Sequence, residues 1–150
     1  VSEANLSRVL LTRANLSKTK LSFSNLIEAG LFEADVSEAN LWGANLWGAK
    51  LVNTNLSRAN LQEVNLSGAN LHGANVSGTN FSGANLWKSN LHGIKNWQDI
   101  KSMEQTNIFD VENPPDGFIK WAKEHGAITI DEEWKTSVRE IKYKQTKENN

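Results

Sequence analysis

Histidine and serine are the residues of this sequence with which hydrolytic or metal chemistry would begin. The histidines are His72, His92 and His125, and serines follow apolar residues at Ser57, Ser67, Ser77 and Ser82. Catalysis requires groups that converge in a pocket, and none of these serines has a paired base. We therefore predict no catalytic residue and expect that the protein is not an enzyme.

His72 and His92 are the strongest candidates for a metal site, because two imidazoles can share a transition metal. No third ligand is apparent near them, and the sequence contains no cysteine. Gly73 and Gly93, which follow the two histidines, indicate tight corners and not a phosphate-binding loop. We therefore interpret the pair as a ladder on the surface and predict no metal and no cofactor.

An apolar residue at every fifth position is the feature that must position these side chains. The series is unbroken from Leu6 to Leu91, and a small residue, mostly alanine, lies two positions before each member. A period of five fits neither an α-helix, where each step rotates the side chain by about 140°, nor a flat strand, where successive members fall on opposite faces. Inward positions that alternate in steps of two and three require a corner in every repeat, which predicts an all-β solenoid.

Charged residues two positions after the apolar residue indicate how many repeats form one coil. Opposite charges recur at a separation of twenty residues in Arg8–Glu28, Arg13–Glu33, Lys18–Glu38 and Glu38–Arg58. Separations of fifteen or twenty-five residues give fewer opposite pairs. Four repeats per coil, with charge ladders between neighbouring coils, are therefore predicted.

The repeat units themselves have a distinctive composition. Ala-Asn-Leu-Ser-Arg at 4–8, Ala-Asn-Leu-Trp-Gly at 39–43 and Ala-Asn-Leu-His-Gly at 69–73 resemble the motif of the pentapeptide-repeat family. The resemblance implies a right-handed quadrilateral β-helix, here of about 18 repeats in four to five coils over residues 1–93. Asparagine precedes most of the leucines, and we expect these amides to bond the local backbone and to stack between coils.

The regular repeat stops after residue 93, and the remaining segment has a different pattern. We predict a small C-terminal α-helical cap over 94–145, with one further repeat-like strand near 106–110 and helices at about 115–125 and 131–143. The polar residues 146–150 are expected to fray. Because a solenoid cannot end on bare leucines, capping is the expected role of this segment. It is also similar to the tails of bacterial, particularly cyanobacterial, pentapeptide-repeat proteins.

Outward aromatic and aliphatic residues are the most suggestive feature of the surface. Contact surfaces between proteins are enriched in aromatic residues, so a protein-contact patch is predicted at Ile27, Phe32, Trp42, Trp47, Val52 and Trp87. The alternative is that these side chains shield the backbone and stabilise neighbouring coils. We favour a non-enzymatic interaction or scaffold module with a protein partner. We also expect a homodimer through the uncapped N-terminal coil.

Two other functions are kept open. Members of the family that bind DNA gyrase imitate DNA with an acidic rod, but residues 1–93 carry seven basic and six acidic side chains and therefore present no polyanion. For the same reason we predict no nucleic-acid partner. The segment would alternatively be a structural spacer attached to an upstream domain outside this sequence. We expect no membrane contact and a cytoplasmic location, with the periplasm and the thylakoid lumen as alternatives.

Overall fold

The computed structural model describes residues 3–129, which form a coil stabilised by parallel bridges between successive turns. Each bridge joins the residue before an apolar residue to the equivalent position twenty residues later, from Asn5–Asn25 to Asn75–Lys95. The predicted period of four pentapeptides per coil is therefore confirmed. We number the coils 4–23, 24–43, 44–63 and 64–83, with the fifth beginning at residue 84.

The faces of the coil are shorter than the strands that the sequence predicts. Residues 3–129 contain isolated bridges and no continuous strand, including at 106–110, where the sequence predicts one. The coil is therefore held by parallel bridges without a sheet, since each regular pentapeptide contributes one bridged residue between two turns. The physical reason is that two of every five residues form the turn, which leaves only three for the face.

Every regular corner is a two-residue turn closed by a backbone hydrogen bond. The amide of Val9 donates to the carbonyl oxygen of Leu6 at 3.3 Å, and the equivalent bond from Ala44 to Leu41 measures 2.9 Å. The second turn residue has a positive φ, such as +57° at Arg8. We number the corners in chain order, beginning in coil 1 with 7–8, 12–13, 17–18 and 22–23, and each face takes the number of the corner that follows it.

Asparagine and charged side chains form the two kinds of ladder that the sequence predicts. Asn45 Oδ1 accepts a hydrogen bond from the amide of Trp47 at 3.1 Å, and Asn65 Nδ2 donates to the same oxygen at 3.1 Å. The amides therefore link each coil to the next. The predicted ion pairs are present at 2.8, 2.6, 4.0 and 3.2 Å in Arg8–Glu28, Arg13–Glu33, Lys18–Glu38 and Arg58–Glu38.

Leucine and alanine fill the interior of the coil. Leu46 is 1% exposed and Leu66 is fully buried. The cavities on the axis measure about 10 Å³ each, which is the space of one water molecule. In coil 1, by contrast, Leu6, Leu11 and Leu16 are only partly buried.

The solenoid continues past residue 93, where the regular repeat ends. A 3-10 helix at Trp97–Asp99 adds two residues to corner 3. Three bridges beyond it join residues twenty-two apart, at Asn80–Ser102, Asn85–Asn107 and Asn90–Glu112, and the last joins Asn107 to Ile128, twenty-one apart. Thr106 and Ile108 are buried like the inward residues of a regular repeat. The boundary at residue 93 that the sequence suggests is therefore too early.

One α-helix, α1 (Phe118–Glu124), lies against the end of the core. Its buried residues are Phe118 and Ala122, and Phe118 lines the same small cavity as Met103. This helix falls within the range 115–125, where the sequence predicts one, whereas the predictions for 131–143 and 146–150 lie outside the described residues. None of the helices in residues 3–129 is long and apolar enough to cross a bilayer.

Candidate protein-contact surface

Two adjacent corners bring together four of the six residues that are predicted to form a contact patch. Ile27 and Trp47 stack at corner 1 of coils 2 and 3, and Phe32 and Val52 stack at corner 2 of the same coils. Trp47 is 46% exposed and Phe32 is 37% exposed, whereas Ile27 and Val52 are half-buried. These four side chains form the two edges of face 2.

The other two predicted residues lie apart from this face. Trp42 is at corner 4, where its ring meets the edge of the Phe23 ring with the centroids 4.7 Å apart. Trp87 lies at corner 1, two coils below Trp47, and the Lys88 ammonium lies 4.9 Å from the centre of its ring. Four of the six predicted residues therefore lie along the two edges of face 2, and the other two lie elsewhere on the coil. Their contact with a partner protein remains a prediction.

Leu10 is the most exposed of three large apolar residues on the surface of residues 3–129 that the predicted patch omits, the others being Phe23 and Phe109. It occupies the centre of face 2 in coil 1, and at 83% it is the most exposed large apolar side chain of residues 3–129. The same position holds Gly30 in coil 2 and Lys50 in coil 3. Asparagine is thus missing from three successive coils of one face. This gap can be seen in the sequence once residues twenty positions apart are compared.

Corner 3 shows how the other corners would look without apolar residues. Its first position holds a column of serines at Ser17, Ser37, Ser57 and Ser77, and its second holds the charged residues Lys18, Glu38 and Arg58. The charges bond each other across coils. The turn therefore forms with polar as well as apolar side chains, and it does not require apolar residues at the corners.

The stacked histidines are not arranged to bind one metal ion. The ring centroids of His72 and His92 are 4.9 Å apart, and the ring planes are within 3° of parallel. A metal bound by an imidazole nitrogen lies in the plane of the ring, so two parallel, stacked rings have no shared position at a Zn–N distance of about 2.0–2.1 Å. Residues 3–129 contain no group of three or more His, Cys, Asp or Glu side chains that would hold a metal.

Two charged groups have pKa values shifted by the groups to which they are hydrogen-bonded. The hydroxyl and the amide of Ser37 donate to the Asp35 carboxylate and lower its pKa, and Asn55 contributes in the same direction. The hydrogen bond and the charge of Glu33 raise the pKa of Arg13. Both shifts favour the charged forms, so neither group is suited to transfer a proton near neutral pH.

The repeat spacing, the bridges and the turns are all typical of one protein family. The family described as Pentapeptide repeats matches in eight copies, over residues 4–43, 29–68, 39–78 and 59–95. The chain belongs to the pentapeptide repeat family. Pentapeptide repeat proteins form right-handed quadrilateral β-helices, and they are generally structural or interaction modules and not enzymes. A comparison with curated proteins gave no match.

This pentapeptide repeat protein is similar to several solved structures. Rfr23 from the cyanobacterium Cyanothece 51142 is 29% identical, with 77% of this chain and 87% of that chain covered and a TM-score of 0.62. The protein alr5209 from Nostoc PCC 7120 is 30% identical, with 85% and 86% covered and a TM-score of 0.40. QnrB1, a plasmid-mediated fluoroquinolone resistance protein, is 22% identical, with 91% and 70% covered and a TM-score of 0.43. Cyanobacterial proteins are thus among its neighbours, as the sequence indicates.

Proposed function

We propose that this pentapeptide repeat protein is a non-enzymatic interaction module that binds another protein through the apolar edges of face 2. The supporting observation is the exposure of Trp47 and Phe32 on neighbouring corners of the same coils, because protein interfaces bury large aromatic side chains. The interior supports the non-enzymatic part of the proposal. Its axial cavities, of about 10 Å³, are too small for a substrate.

Removal of both edges tests this proposal. A variant with Trp47→Ala and Phe32→Ala leaves every inward residue in place, so we expect it to fold, and Ser57→Ala at corner 3 is the matched control. Affinity capture from a cyanobacterial lysate should retain the same proteins on the wild type and the control. We expect the double variant to lose these proteins by at least tenfold. Equal capture by all three folded proteins would contradict the proposal.

The DNA-mimic alternative receives less support from the charges. Acidic groups on the corners are paired with basic ones in the neighbouring coil, as in Glu28 with Arg8, so the surface formed by residues 3–129 offers no continuous row of anions. A gyrase supercoiling assay separates the two functions, because only a DNA mimic should change the activity of the enzyme. The spacer alternative would be favoured if neither gyrase nor any captured protein distinguished the edge variant from the wild type.

The N-terminal end of the coil supports a separate proposal of self-association. Leu6, Leu11 and Leu16 are partly exposed there, whereas Phe118 is buried at the opposite end of the core. Pairing of two first coils would bury these leucines in a homodimer. Light scattering at high protein concentration should show the dimer, and a monomer at all concentrations would rule this proposal out.

A further inference from the structure

Face 2 has two unlike halves along the axis of the coil. Its central positions hold Leu10, Gly30 and Lys50 in coils 1–3, followed by Asn70 and Asn90 in coils 4 and 5. The two amides bond each other at 3.2 Å. Within residues 3–129, no other face lacks asparagine and aspartate at its central position in three consecutive coils.

The half without asparagine also has apolar edges in coils 2 and 3, whereas coil 1 has Ser7 and Thr12 at these corners and Trp87 lies at corner 1 of the lower half. Ile27 and Trp47 border it at corner 1, and Phe32 and Val52 border it at corner 2. We call the surface formed by these four residues with Leu10, Gly30 and Lys50 the apolar face. The loss of the amide ladder and the gain of apolar corners are separate departures from the repeat, and they coincide at one place.

Leu10 forms the centre of the apolar face because the next coil has no side chain below it. A Cβ atom at Gly30 would lie 3.1 Å from Leu10 Cδ2, so the leucine rests on the glycine backbone with 83% of its surface exposed. Leu10 and Gly30 thus form a strip of apolar surface that runs parallel to the axis between corners 1 and 2.

One charge of the apolar face has no partner in the described part of the chain. The neighbouring charges at the corners are neutralised in pairs, Arg8 with Glu28 and Arg13 with Glu33. Lys50 is exposed and forms no ion pair within residues 3–129. An occupant complementary to this face is therefore apolar and carries a carboxylate that pairs with Lys50.

We propose that the apolar face binds an amphipathic α-helix of a partner protein that carries a carboxylate opposite Lys50. The dimensions support a helix that lies along the solenoid axis. A face of three extended residues is about 10 Å wide, which is close to the diameter of a helix. Two coil spacings span about 10 Å, the distance from residue i to i+7 on a helix, so apolar residues at i, i+3, i+4 and i+7 would cover the strip.

This inference depends on the proposed interaction function and names the partner of the same site. A second copy of the chain is a poorer occupant, because two apolar faces would bring Lys50 towards a surface whose only unpaired charge in the described residues is another Lys50. A partner of opposite charge is therefore the better match.

A variant that completes the amide ladder replaces the three central residues of the apolar face without disturbing the fold. Leu10→Asn, Gly30→Asn and Lys50→Asn together restore the residue found at most equivalent positions, and the replacement of Leu10 removes the contact that a side chain at Gly30 would meet. Lys20→Asn makes the same change on the opposite face and is the matched control. Circular dichroism and thermal melting should show that both variants are folded and that the triple variant is at least as stable as the wild type.

The probe is a displayed library of amphipathic helical peptides with randomised polar positions, selected on the wild-type chain. We expect selected peptides to carry a carboxylate, to bind the Lys20→Asn control as tightly as the wild type, and to bind the triple variant at least tenfold more weakly. Lys50→Glu should weaken the same peptides about tenfold, and exchange of the peptide carboxylate for lysine should restore the lost affinity. Sedimentation should show one chain per peptide complex.

The outcomes separate this inference from the proposed function. Peptides that bind the triple variant normally but lose affinity with Trp47→Ala would overturn the helix site while leaving an interaction surface at corner 1. A library without binders, or binders indifferent to both variants, would count against the two proposals together. A wild-type dimer that the triple variant dissociates would show that a second copy occupies the apolar face.

Discussion

The two halves of face 2 have the same backbone and opposite surfaces. Both are built from parallel bridges at twenty-residue intervals, with Leu10 and Gly30 in the upper half and Asn70 and Asn90 in the lower half. The lower half links its coils through side-chain amides, and the upper half links them through backbone bonds without that help. The ladder of amides is therefore an addition to the coil and not a condition for it.

The difference shows that the repeat separates folding from recognition. Inward leucines and alanines are retained in both halves, while the outward positions change from polar to apolar without a change of register. A change of partner therefore requires no change of core, and each outward substitution can be judged by its neighbours twenty residues before and after.

The largest expected effect distinguishes inward from outward leucine. Leu66→Ala should reduce the free energy of unfolding by about 2–5 kcal/mol, because it leaves a cavity in a close-packed core. Leu10→Ala should change it by less than about 0.5 kcal/mol, because that side chain is largely in water. Urea denaturation followed by circular dichroism measures both. A large loss with Leu10→Ala would mean that the apolar face is part of the stabilising core.

Two corner glycines, Gly43 and Gly68, allow the cost of a crowded corner to be compared with that of an open one. Gly43 and Gly68 have nearly the same φ, +65° and +66°, but a Cβ atom at Gly43 would lie 2.6 Å from the Phe23 ring, whereas one at Gly68 would meet nothing within 4 Å. Both changes to alanine should lose about 1 kcal/mol for the positive φ. Gly43→Ala should lose about 1 kcal/mol more, as expected for an overpacked contact.

Thermal melting of the two alanine variants provides this measurement. Phe23→Ala in the Gly43→Ala background is the control, since it should restore the difference between the two glycines to zero. Equal losses without that second change would show that the Phe23 ring moves aside freely.

Exchange of the central residues between the two halves of face 2 should change stability by smaller amounts, with opposite signs for the two directions of exchange. Asn70→Leu should lose about 1–2 kcal/mol, because its oxygen accepts from the amide of His72 at 3.1 Å and from Asn90 at 3.2 Å. Leu10→Asn should gain up to about 1 kcal/mol, since a new amide can accept from the backbone two residues on. Chemical denaturation of both single variants checks the signs. Destabilisation by Leu10→Asn would show that the upper half cannot accept the ladder.

The smallest expected effect is on stability in acid. It concerns Asp35, the one carboxylate within the amide ladders of the described residues. The pKa of Asp35 is lowered in the folded chain, so its stabilising contribution is present above the unfolded value of about 3.9 and is lost as the pH falls through the folded value. Asp35→Asn keeps the hydrogen-bond acceptor, and at pH 7 it should change stability by less than about 0.5 kcal/mol.

Urea midpoints of the wild type and the Asp35→Asn variant at pH 7 and pH 3 measure this effect. The wild type should lose slightly more stability on acidification than the variant does. Parallel losses would mean that the hydrogen bonds from Ser37 and Asn55 do not distinguish the two forms of the carboxyl group.

The sequence predicts those features of the fold that repeat and misses those that interrupt the repetition. The coil period and the ion pair of Arg8 with Glu28 follow from spacing alone, because residues twenty apart must meet once the coil closes. The sequence also predicts a further repeat near 106–110, but it does not give the register of the coil past residue 93, because the two residues added at Trp97–Asp99 move the later bridges out of phase with the earlier ones. The absence of continuous strands depends on the length of the turn, which a pattern of apolar residues does not report.

The candidate surface was predictable in part for a related reason. Outward aromatics such as Trp47 and Phe32 stand out by residue type, so they were identified without coordinates. Leu10 looks like an irregular member of the motif until its exposure is known, and its position above a glycine matters as much as its own identity. The apolar face can be identified in the sequence only when the residues of corner 1, of the centre of face 2 and of corner 2 are compared together.

The widened corner at Trp97–Asp99 has a consequence for how such proteins diversify. The bridges on both sides of it remain in place although the coil there is two residues longer. Gln98 and Asp99 at this corner are exposed, while Trp97 packs against Phe118 and Trp121, so short insertions in a gene would produce loops that leave the bridges intact. The same position is a suitable point for grafting a foreign loop onto this scaffold.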